Sequence, residues 1–327
     1  MKIGCHLIFD IIDKTILLSI KKGDFMKIFY HLADADGKCS GYLVKRFAKH
    51  TDNYDIEFCG INYGMDFPFE KIQKDEQVFI VDYSIFPEEM NRLLDITKNV
   101  VWIDHHKSSI QRYEGFEKEI PGIRYDGIAG CALTYCYLTQ MSIGDMNEVK
   151  EFNPELTNNM PQFVSLIADY DVWNFKYGDV TKNFHAGLML EEHNPWDEIW
   201  DIFLIDNKND YIYKIVNNGI IAKQSRASMM KAYCEAKGFE TEIDGHKAFA
   251  INMANISGDD FTSVDDTKYD LFIGFSYNGK DWNYSLRSAK VDCAEIAMKF
   301  GGGGHMGAAG FNSDKLLLSA IESEEVN

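Results

Sequence analysis

Residues 27–37 read Lys-Ile-Phe-Tyr-His-Leu-Ala-Asp-Ala-Asp-Gly, so a short apolar run is followed at once by His31, Asp34 and Asp36. A short apolar run bounded by polar residues is typical of a buried strand. Gly37 permits a tight turn into the helical pattern that follows. The segment therefore predicts a strand whose end carries one imidazole and two carboxylates, which hard divalent cations and Mn²⁺ accept as ligands. The alternative is an Asp-rich turn that caps the helix.

The same alternation of strand and helix continues to about residue 180. Alternating strands and helices form a parallel sheet with helices on both faces, and such sheets bind ligands at the carboxyl ends of their strands. The fold class of this part of the chain is therefore α/β, with functional groups expected at one edge of the sheet. Strands are predicted over 27–30, 56–61, 77–81 and 100–103, and helices over 40–50, 87–97 and 131–140.

The remaining chain divides into a helical connector and a smaller α/β domain. The Asn278-Gly279 pair is a strong hairpin signal between two strands of this smaller domain. Its strands are predicted over 240–243, 248–251, 271–277 and 282–286, and its helix over 293–300. We expect an N-terminal extension over 1–25, a catalytic domain over 26–190, the connector over 191–238 and the second domain over 239–327.

The N-terminal extension is apolar over 5–20 but is interrupted by Asp10, Asp13 and Lys14. It fits neither a membrane span nor a signal peptide, which need longer or unbroken apolar runs. Two interpretations stay open. The segment is an amphipathic element packed on the main domain, or it is a translated leader, because Lys-Lys-Gly-Asp just before Met26 can be encoded by a ribosome-binding sequence.

Composition excludes several classes of protein. The chain has 327 residues, 33 basic and 51 acidic side chains, a net charge of −18 and 46% hydrophobic residues. These fractions exclude disordered and fibrous proteins, and the negative charge argues against binding long duplex DNA. The seven cysteines include no CxxC pair, which favours reduced thiols in a cytoplasmic protein. We expect no membrane partner, and the sequence leaves open whether the chain is a monomer or a homodimer.

Further ionisable residues follow the later apolar runs. Asp82 ends the third predicted strand, and Asp104, His105 and His106 end the fourth. Three ionisable residues emerging from a buried strand each need a partner or water, so packing alone does not explain them. Together with the groups after the first strand, they predict a two-metal site of carboxylates and imidazoles.

Two aspartates compete for the last position in that site. Asp169 and Asp171 both follow an apolar helical stretch, and Asp169 is preferred because it comes directly after the apolar run. In the second domain, residues 301–310 read Gly-Gly-Gly-Gly-His-Met-Gly-Ala-Ala-Gly. Glycine-rich loops expose backbone N–H groups to anions, although one glycine also commonly ends a helix.

The motifs HxxDxDG, VDYS, DHH, ADYD and GGGGHxxAAG, in that order, resemble those of the DHH phosphoesterases with a C-terminal DHHA1 domain. The resemblance extends from Met26 to about Phe311. That family includes RecJ-type exonucleases, enzymes that degrade short oligoribonucleotides, and dinucleotide phosphodiesterases. Two residues separate His31 from Asp34 here, where many members of the family have three.

The resemblance implies two Mn²⁺ ions, with Mg²⁺ or Co²⁺ as alternatives. One ion would be held by His31, Asp34 and Asp82, and the other by Asp36, Asp82, His105 and Asp169. Catalytic roles fall to Asp82 as the bridge, to His106 as a phosphate contact and to Asp104 as the residue that orients the histidines. The substrate-binding residues implied by the resemblance are Lys107, Arg287, Gly302, Gly303, Gly304 and His305.

The resemblance implies a cytoplasmic, metal-dependent hydrolase that cuts short oligonucleotides or dinucleotides to nucleoside monophosphates. A phosphatase acting on a nucleotide 3′-phosphate is the alternative within enzymes. A catalytically inactive nucleotide-binding or nucleic-acid-binding module is the alternative outside enzymes. An inactive relative should have lost metal ligands, and this chain keeps a full set, which favours an enzyme.

Overall fold

The computed structural model describes residues 24–49, 54–143, 152–206 and 209–321. The N-terminal extension up to residue 23 lies outside these ranges. The chain divides into two compact units, Met1–Ile220 and Ile221–Asn327. This division falls inside the predicted connector, where the structure has two helices, and the predicted domain limits stay a prediction.

The first unit contains the predicted parallel sheet. Its strands run in the spatial order β2-β1-β3-β4, and every neighbouring pair is parallel. Tyr30 pairs with Val81, and Val81 pairs with Ile103, so the strands end at the same sheet edge. The strands are β1 (Asp24–His31), β2 (Tyr54–Ile61), β3 (Gln77–Val81) and β4 (Val100–Ile103).

Helices bury both faces of this sheet, as the apolar runs predict. Phe79 and Val81 of β3 pack into one hydrophobic cluster, whereas Val78 and Ile80 pack into another. Successive strand residues point to opposite faces, so burial on both faces requires a continuous apolar run. The helices are α1 (Ala35–Lys49), α2 (Pro87–Ile96), α3 (Lys107–Arg112), α4 (Gly130–Ile143), α5 (Gln162–Asp171), α6 (Asp179–Leu188), α7 (Ile199–Ile205) and α8 (Asp210–Lys237).

Helix α1 begins at Ala35, five residues before the predicted start at residue 40. The physical reason is a cap, because the Gly37 N–H donates a hydrogen bond of 2.9 Å to Asp34 Oδ1. An aspartate that accepts from the N–H three residues later is a favourable N-cap. The alternative reading of the Asp-rich turn is thus confirmed as one role of Asp34, and its second oxygen stays available to the site.

The second unit is built on a mixed sheet in the order β5-β6-β7-β8-β10-β9. The predicted hairpin at Asn278-Gly279 joins antiparallel β7 and β8. The glycine run was expected to be a loop, but Gly303–His305 and Ala308–Ser313 pair as antiparallel strands. The elements are β5 (Phe239–Ile243), β6 (His246–Ile251), β7 (Leu271–Tyr277), β8 (Trp282–Arg287), α9 (Cys293–Lys299), β9 (Gly303–His305) and β10 (Ala308–Ser313).

Within the described ranges, no helix is long and apolar enough to span a bilayer. The six cysteines in those ranges are free and buried, as predicted for reduced thiols, while Cys5 lies outside them.

Candidate active site

The candidate site lies at the carboxyl edge of the parallel sheet, where His31, Asp82 and the residues after β4 emerge together. Asp34 caps helix α1, Asp36 lies in its first turn, and α5 ends at Asp171. Among the described residues, three overlapping groups could hold a metal ion, and within each group the ligand atoms lie within 4.8 Å of one another. These groups are His31, Asp34 and Asp82; Asp82, His105 and His106; and Asp36, His105 and Asp171.

Asp82 lies between these groups. Its Oδ2 is 3.7 Å from His31 Nδ1, and its Oδ1 is 3.2 Å from His105 Nε2. The side chain is 1% exposed, and neither oxygen accepts a hydrogen bond from the described part of the chain. Its backbone has a φ of +53°, a strained conformation for a residue with a side chain. The geometry is that of a carboxylate shared by two ligand groups.

The first group is joined by a close contact between an imidazole and a carboxylate. His31 Nδ1 lies 2.8 Å from Asp34 Oδ2. Burial lowers the pKa of His31, but the carboxylates of Asp34 and Asp82 outweigh burial and raise the pKa to about 10. The raised pKa reports a concentration of negative charge that favours a cation at this position.

The second group is anchored by the start of α4. Asp36 Oδ2 accepts a hydrogen bond of 2.6 Å from the Gly130 N–H, and Oδ1 accepts one of 2.7 Å from the Cys131 N–H. His105 Nε2 lies 3.7 Å from Asp36 Oδ2 and 3.4 Å from Asp171 Oδ2. The helix amides therefore fix the Asp36 carboxylate beside the imidazole of His105.

Gly130 leaves space that the carboxylates require. A Cβ at this position would lie 2.7 Å from Asp82 Cβ, 2.8 Å from Asp82 Oδ1 and 3.0 Å from Asp36 Oδ2. Any side chain here would therefore displace the shared carboxylate. The sequence does not single out Gly130, because one glycine at a helix start gives no distinctive signal.

Asp104 contacts both histidines that follow it, through the ring of His106 and the backbone N–H of His105. Asp104 Oδ1 lies 2.7 Å from His106 Nδ1 and accepts a hydrogen bond of 2.8 Å from the His105 N–H. Asp104 Oδ2 accepts a hydrogen bond from the Ser84 hydroxyl, and Asp104 is fully buried. Burial lowers the pKa of His106, but the Asp104 carboxylate outweighs burial and raises it. The contact with the His106 ring is compatible with the orienting role predicted for Asp104, which stays a prediction.

The chemistry of the cluster fits divalent cations. Burial and the nearby Asp36 carboxylate raise the pKa values of Asp82 and Asp171 well above their usual range. In the described part of the chain, Asp171 Oδ2 accepts no hydrogen bond. Buried carboxylates that repel one another and lack hydrogen-bond partners are stabilised by a bound cation. Carboxylate oxygen and imidazole nitrogen suit Mn²⁺, and carboxylates suit Mg²⁺.

The structure favours Asp171 over the preferred Asp169 as the candidate ligand. Asp169 Oδ1 accepts a hydrogen bond of 2.7 Å from the Lys176 N–H, and Oδ2 accepts from the Tyr177 N–H at 3.3 Å and from the Thr181 hydroxyl. Both oxygens of Asp169 therefore hold the segment after α5. Asp171, and not Asp169, lies in the ligand groups.

The residues predicted to bind substrate have mixed surroundings. Lys107 is exposed and starts α3 directly after His106. The Arg287 guanidinium donates to the backbone oxygens of Leu286 at 2.8 Å and Ile256 at 2.9 Å, and burial lowers its pKa. Two of its donors therefore serve the fold. The side chain of His305 lies outside the described set.

Packing explains two of the three glycines predicted to bind substrate. A Cβ at Gly302 would lie 2.1 Å from the Gly310 oxygen, and one at Gly304 would lie 2.5 Å from Ala309 Cα. A Cβ at Gly303 would meet nothing within 4 Å. Close contact with β10 thus accounts for Gly302 and Gly304, and Gly303 alone has no steric requirement.

An aromatic residue that the sequence analysis missed borders the site. The Tyr63 ring centroid lies 5.7 Å from the ring centroids of both His31 and His106, and Tyr63 is 48% exposed. Tyr63 follows β2, the strand whose end carries no ionisable residue. Only the parallel register, which brings the end of β2 beside that of β1, relates Tyr63 to the cluster.

The chain is similar in sequence to two known proteins described below. No family model matches the chain. The chain is 24% identical over 313 residues to uncharacterized protein R106 of Acanthamoeba polyphaga mimivirus, covering 86% of this chain and just under two thirds (66%) of the viral protein. It is also 24% identical over 312 residues to oligoribonuclease NrnB of Bacillus subtilis (strain 168), covering 86% of this chain and 72% of NrnB.

Two solved structures are similar to the chain. An exopolyphosphatase-related protein from Bacteroides fragilis is 15% identical with a TM-score of 0.49, covering 98% of this chain and 94% of its own. Exonuclease RecJ bound to manganese is 13% identical with a TM-score of 0.49, covering 95% of this chain and 90% of its own. The motif order and the similarity to NrnB confirm the resemblance to the DHH phosphoesterases.

Proposed function

We propose that the chain is a metal-dependent phosphoesterase that hydrolyses short oligonucleotides or dinucleotides to nucleoside monophosphates. The observation that carries this proposal is Asp82, a buried carboxylate whose two oxygens face separate ligand groups. The similarity to NrnB, an oligoribonuclease, supports the substrate class.

Two divalent ions, with Mn²⁺ as the first choice, would occupy the cluster. His31, Asp34 and Asp82 would hold one ion, and Asp36, Asp82, His105 and Asp171 would hold the other. Such ions activate water at neutral pH and neutralise charge at phosphorus. Cations would displace the protons that the raised pKa values of His31, Asp82 and Asp171 favour, and the positive charge they bring would attract a phosphodiester.

The protein's own residues position the phosphate. Asp104 accepts from His106 Nδ1, which leaves Nε2 as the imidazole nitrogen that contacts a phosphate oxygen. The hydrogen bond from the Ser84 hydroxyl to Asp104 keeps the carboxylate in place for this task. Lys107, the next residue, is the nearest exposed cation in sequence and would attract the phosphate group.

The second unit carries the other proposed substrate contacts. Gly303 and His305 are the proposed contacts, and Arg287 would contribute the guanidinium donors that its two backbone carbonyls do not use. Because the chain carries a net charge of −18, a long strand gains little from contacts with its surface. We therefore expect kcat/KM to be highest for about two to five nucleotides and to fall for longer strands, more steeply at low salt.

One assay tests this function. Purified protein is treated with chelator, reloaded with Mn²⁺, Mg²⁺ or Co²⁺, and given dinucleotides, five-nucleotide RNA and DNA, long single strands and nucleotide 3′-phosphates. We expect metal-dependent release of nucleoside monophosphates, fastest from the short oligonucleotides. Faster release from long strands at low salt would favour a RecJ-like exonuclease, and release of phosphate from 3′-phosphates alone would favour a phosphatase.

A further inference from the structure

Trp173 lies two residues beyond Asp171 and is 67% exposed. At the end of α5, the Trp173 N–H donates to the Tyr170 oxygen and the Asn174 N–H donates to the Asp169 oxygen, both at 3.1 Å. These two hydrogen bonds form a Schellman motif, in which the first residue past the helix adopts a positive φ. Trp173 occupies that position with a φ of +54°.

Folding does not account for a tryptophan at this position. Glycine is the usual residue there because it lacks a Cβ, and a bulky side chain at positive φ is disfavoured. Burial of the indole contributes little free energy to offset this strain, because about two thirds of Trp173 stays in solvent. Phe175 also has a positive φ, of +50°. Strain retained in this way is characteristic of binding sites.

Asp169 holds this strained segment in place. We define the aromatic loop as residues 172–178, which read Val-Trp-Asn-Phe-Lys-Tyr-Gly. The Asp169 carboxylate accepts from two N–H groups of the aromatic loop, those of Lys176 and Tyr177, and from the Thr181 hydroxyl in the first turn of α6. These hydrogen bonds fix the aromatic loop to helix α5, which carries Asp171. The backbone of Trp173 is therefore constrained while its side chain is exposed.

The aromatic loop combines rings with positive charge. The Trp173 ring centroid lies 5.7 Å from that of Phe175, and Lys182 Nζ lies 4.8 Å from the Phe175 ring centroid. Lys176 Nζ lies 5.6 Å from the ring centroid of Tyr177, which is 44% exposed. Exposed rings interleaved with lysines are the pattern by which proteins bind single-stranded nucleic acid, with bases on the rings and phosphates near the cations.

We propose, building on the proposed function, that Trp173 is a binding residue that stacks on a base of the nucleotide whose phosphate occupies the cluster. The backbone of Trp173 lies two residues beyond Asp171, so the ring projects from the segment that directly follows this carboxylate. A phosphate ester or polyphosphate without a base would gain nothing from the ring. The assignment therefore specifies a nucleotide as the substrate and predicts that Trp173 acts on KM.

Trp173→Gly separates this role from a structural one. Glycine suits the positive φ, so the midpoint of thermal unfolding should stay unchanged or rise. The KM for a dinucleotide should rise about five- to one-hundred-fold, the range for loss of a stacking ring, with kcat and Mn²⁺ affinity nearly unchanged. Trp173→Phe should recover much of the loss. Trp196→Ala, at a tryptophan 51% exposed beside Phe58, is the matched control and should leave KM unchanged.

A binding measurement distinguishes failure of this proposal from failure of the proposed function. Titration calorimetry compares AMP with ribose 5-phosphate on the Mn²⁺-loaded protein. We expect AMP to bind more tightly, and Trp173→Gly to remove the difference. Equal binding of the two ligands by the wild type, or a difference that survives in Trp173→Gly, would overturn the stacking role. Base-dependent binding through Trp173 without any hydrolysis would support the stacking role and contradict the proposed function.

Discussion

The Oδ2 atom of Asp171 lies 3.4 Å from the Nε2 atom of His105 and so joins the end of helix α5 to the end of strand β4. Asp169 lies two positions earlier on the same helix, and its carboxylate accepts hydrogen bonds from the aromatic loop instead. A helix turns through about 200° over two residues, so the two aspartates cannot serve one site. One carboxylate faces the candidate metals, and the other stabilises the loop.

These different environments predict opposite phenotypes for the two amide variants. Asp171→Asn should lower activity by more than about a hundredfold and weaken Mn²⁺ binding, because an amide supplies no negative charge to the cations. Its thermal stability should change little, since one of several repelling carboxylates is removed. Activity at saturating Mn²⁺ and calorimetric Mn²⁺ titration check both expectations.

Asp169→Asn should instead destabilise the fold by about 1–3 kcal/mol, because buried donors lose a charged acceptor. Its Mn²⁺ affinity at low temperature should stay near that of the wild type. If Asp169→Asn lost Mn²⁺ binding while Asp171→Asn kept it, the placement of the two carboxylates would be wrong.

A methyl group at Gly130 should damage the site by crowding the carboxylates of Asp82 and Asp36. In Gly130→Ala the new Cβ would compete with Asp82, which lies within 2.8 Å of that point. We expect Mn²⁺ affinity to fall by about ten- to one-hundred-fold, with about 1–3 kcal/mol of destabilisation from overpacking. The control is Gly258→Ala, where a Cβ meets nothing within 4 Å. Equal Mn²⁺ affinity in both variants would argue against a crowded carboxylate pair.

The glycine run offers a test of substrate binding that is independent of packing. Gly303→Ala should fold with wild-type stability to within about 0.5 kcal/mol, because nothing lies within 4 Å of its Cβ. Its KM should rise if the backbone of Gly303 contacts the substrate. Gly302→Ala should destabilise the second unit, since its Cβ would lie 2.1 Å from the Gly310 oxygen. A wild-type KM for Gly303→Ala, in an assay whose activity is lost in Asp82→Asn, would remove Gly303 from the proposed contacts.

His185 gives a pH dependence of stability. Its ring stacks on Tyr170 with centroids 3.5 Å apart, and burial lowers its pKa to about 4. Between about pH 6.5 and pH 4 the unfolded chain binds a proton that the folded chain does not. This stabilisation is therefore complete above about pH 6.5 and is lost as the pH falls towards 4.

Urea unfolding at neutral pH and at about pH 5 checks the role of His185. The wild type should lose more free energy of unfolding on acidification than His185→Phe, which keeps a ring against Tyr170 but has no titrating group. The same acid loss in both proteins would show that His185 does not contribute to it.

Much of the fold follows from local patterns in the sequence. Strands β1, β3 and β4 are short apolar runs buried on both faces, and each ends directly at a candidate ligand or its neighbour. Asp82 and His105 could therefore be located without a structure. The predicted start of α1 is too late because Asp34 belongs to a motif that also suggests metal binding. In the structure, Asp34 accepts a hydrogen bond from the Gly37 N–H and so caps the helix.

The rest of the site depends on contacts that sequence spacing does not encode. The choice between Asp171 and Asp169 depends on helix rotation relative to β4, and both follow the same apolar stretch. Gly130 matters only because α4 begins 2.6 Å from Asp36, which is far away in sequence. The sequence predicts a loop for the glycine run at residues 301–304. Close packing against β10 requires small residues, and so does an anion-binding loop, so the sequence alone does not distinguish the two.

The central claim is that Asp82 joins two metal positions, and the number of Mn²⁺ ions bound by Asp82→Asn tests it most directly. Calorimetric titration of the wild type should give two Mn²⁺ ions per chain. In Asp82→Asn both ions should bind at least about tenfold more weakly, while the metal-free protein keeps or gains stability because charge repulsion falls. Asp95→Asn, at an exposed aspartate outside the ligand groups, should match the wild type. Two Mn²⁺ ions bound to Asp82→Asn with wild-type affinity would contradict the shared-carboxylate site.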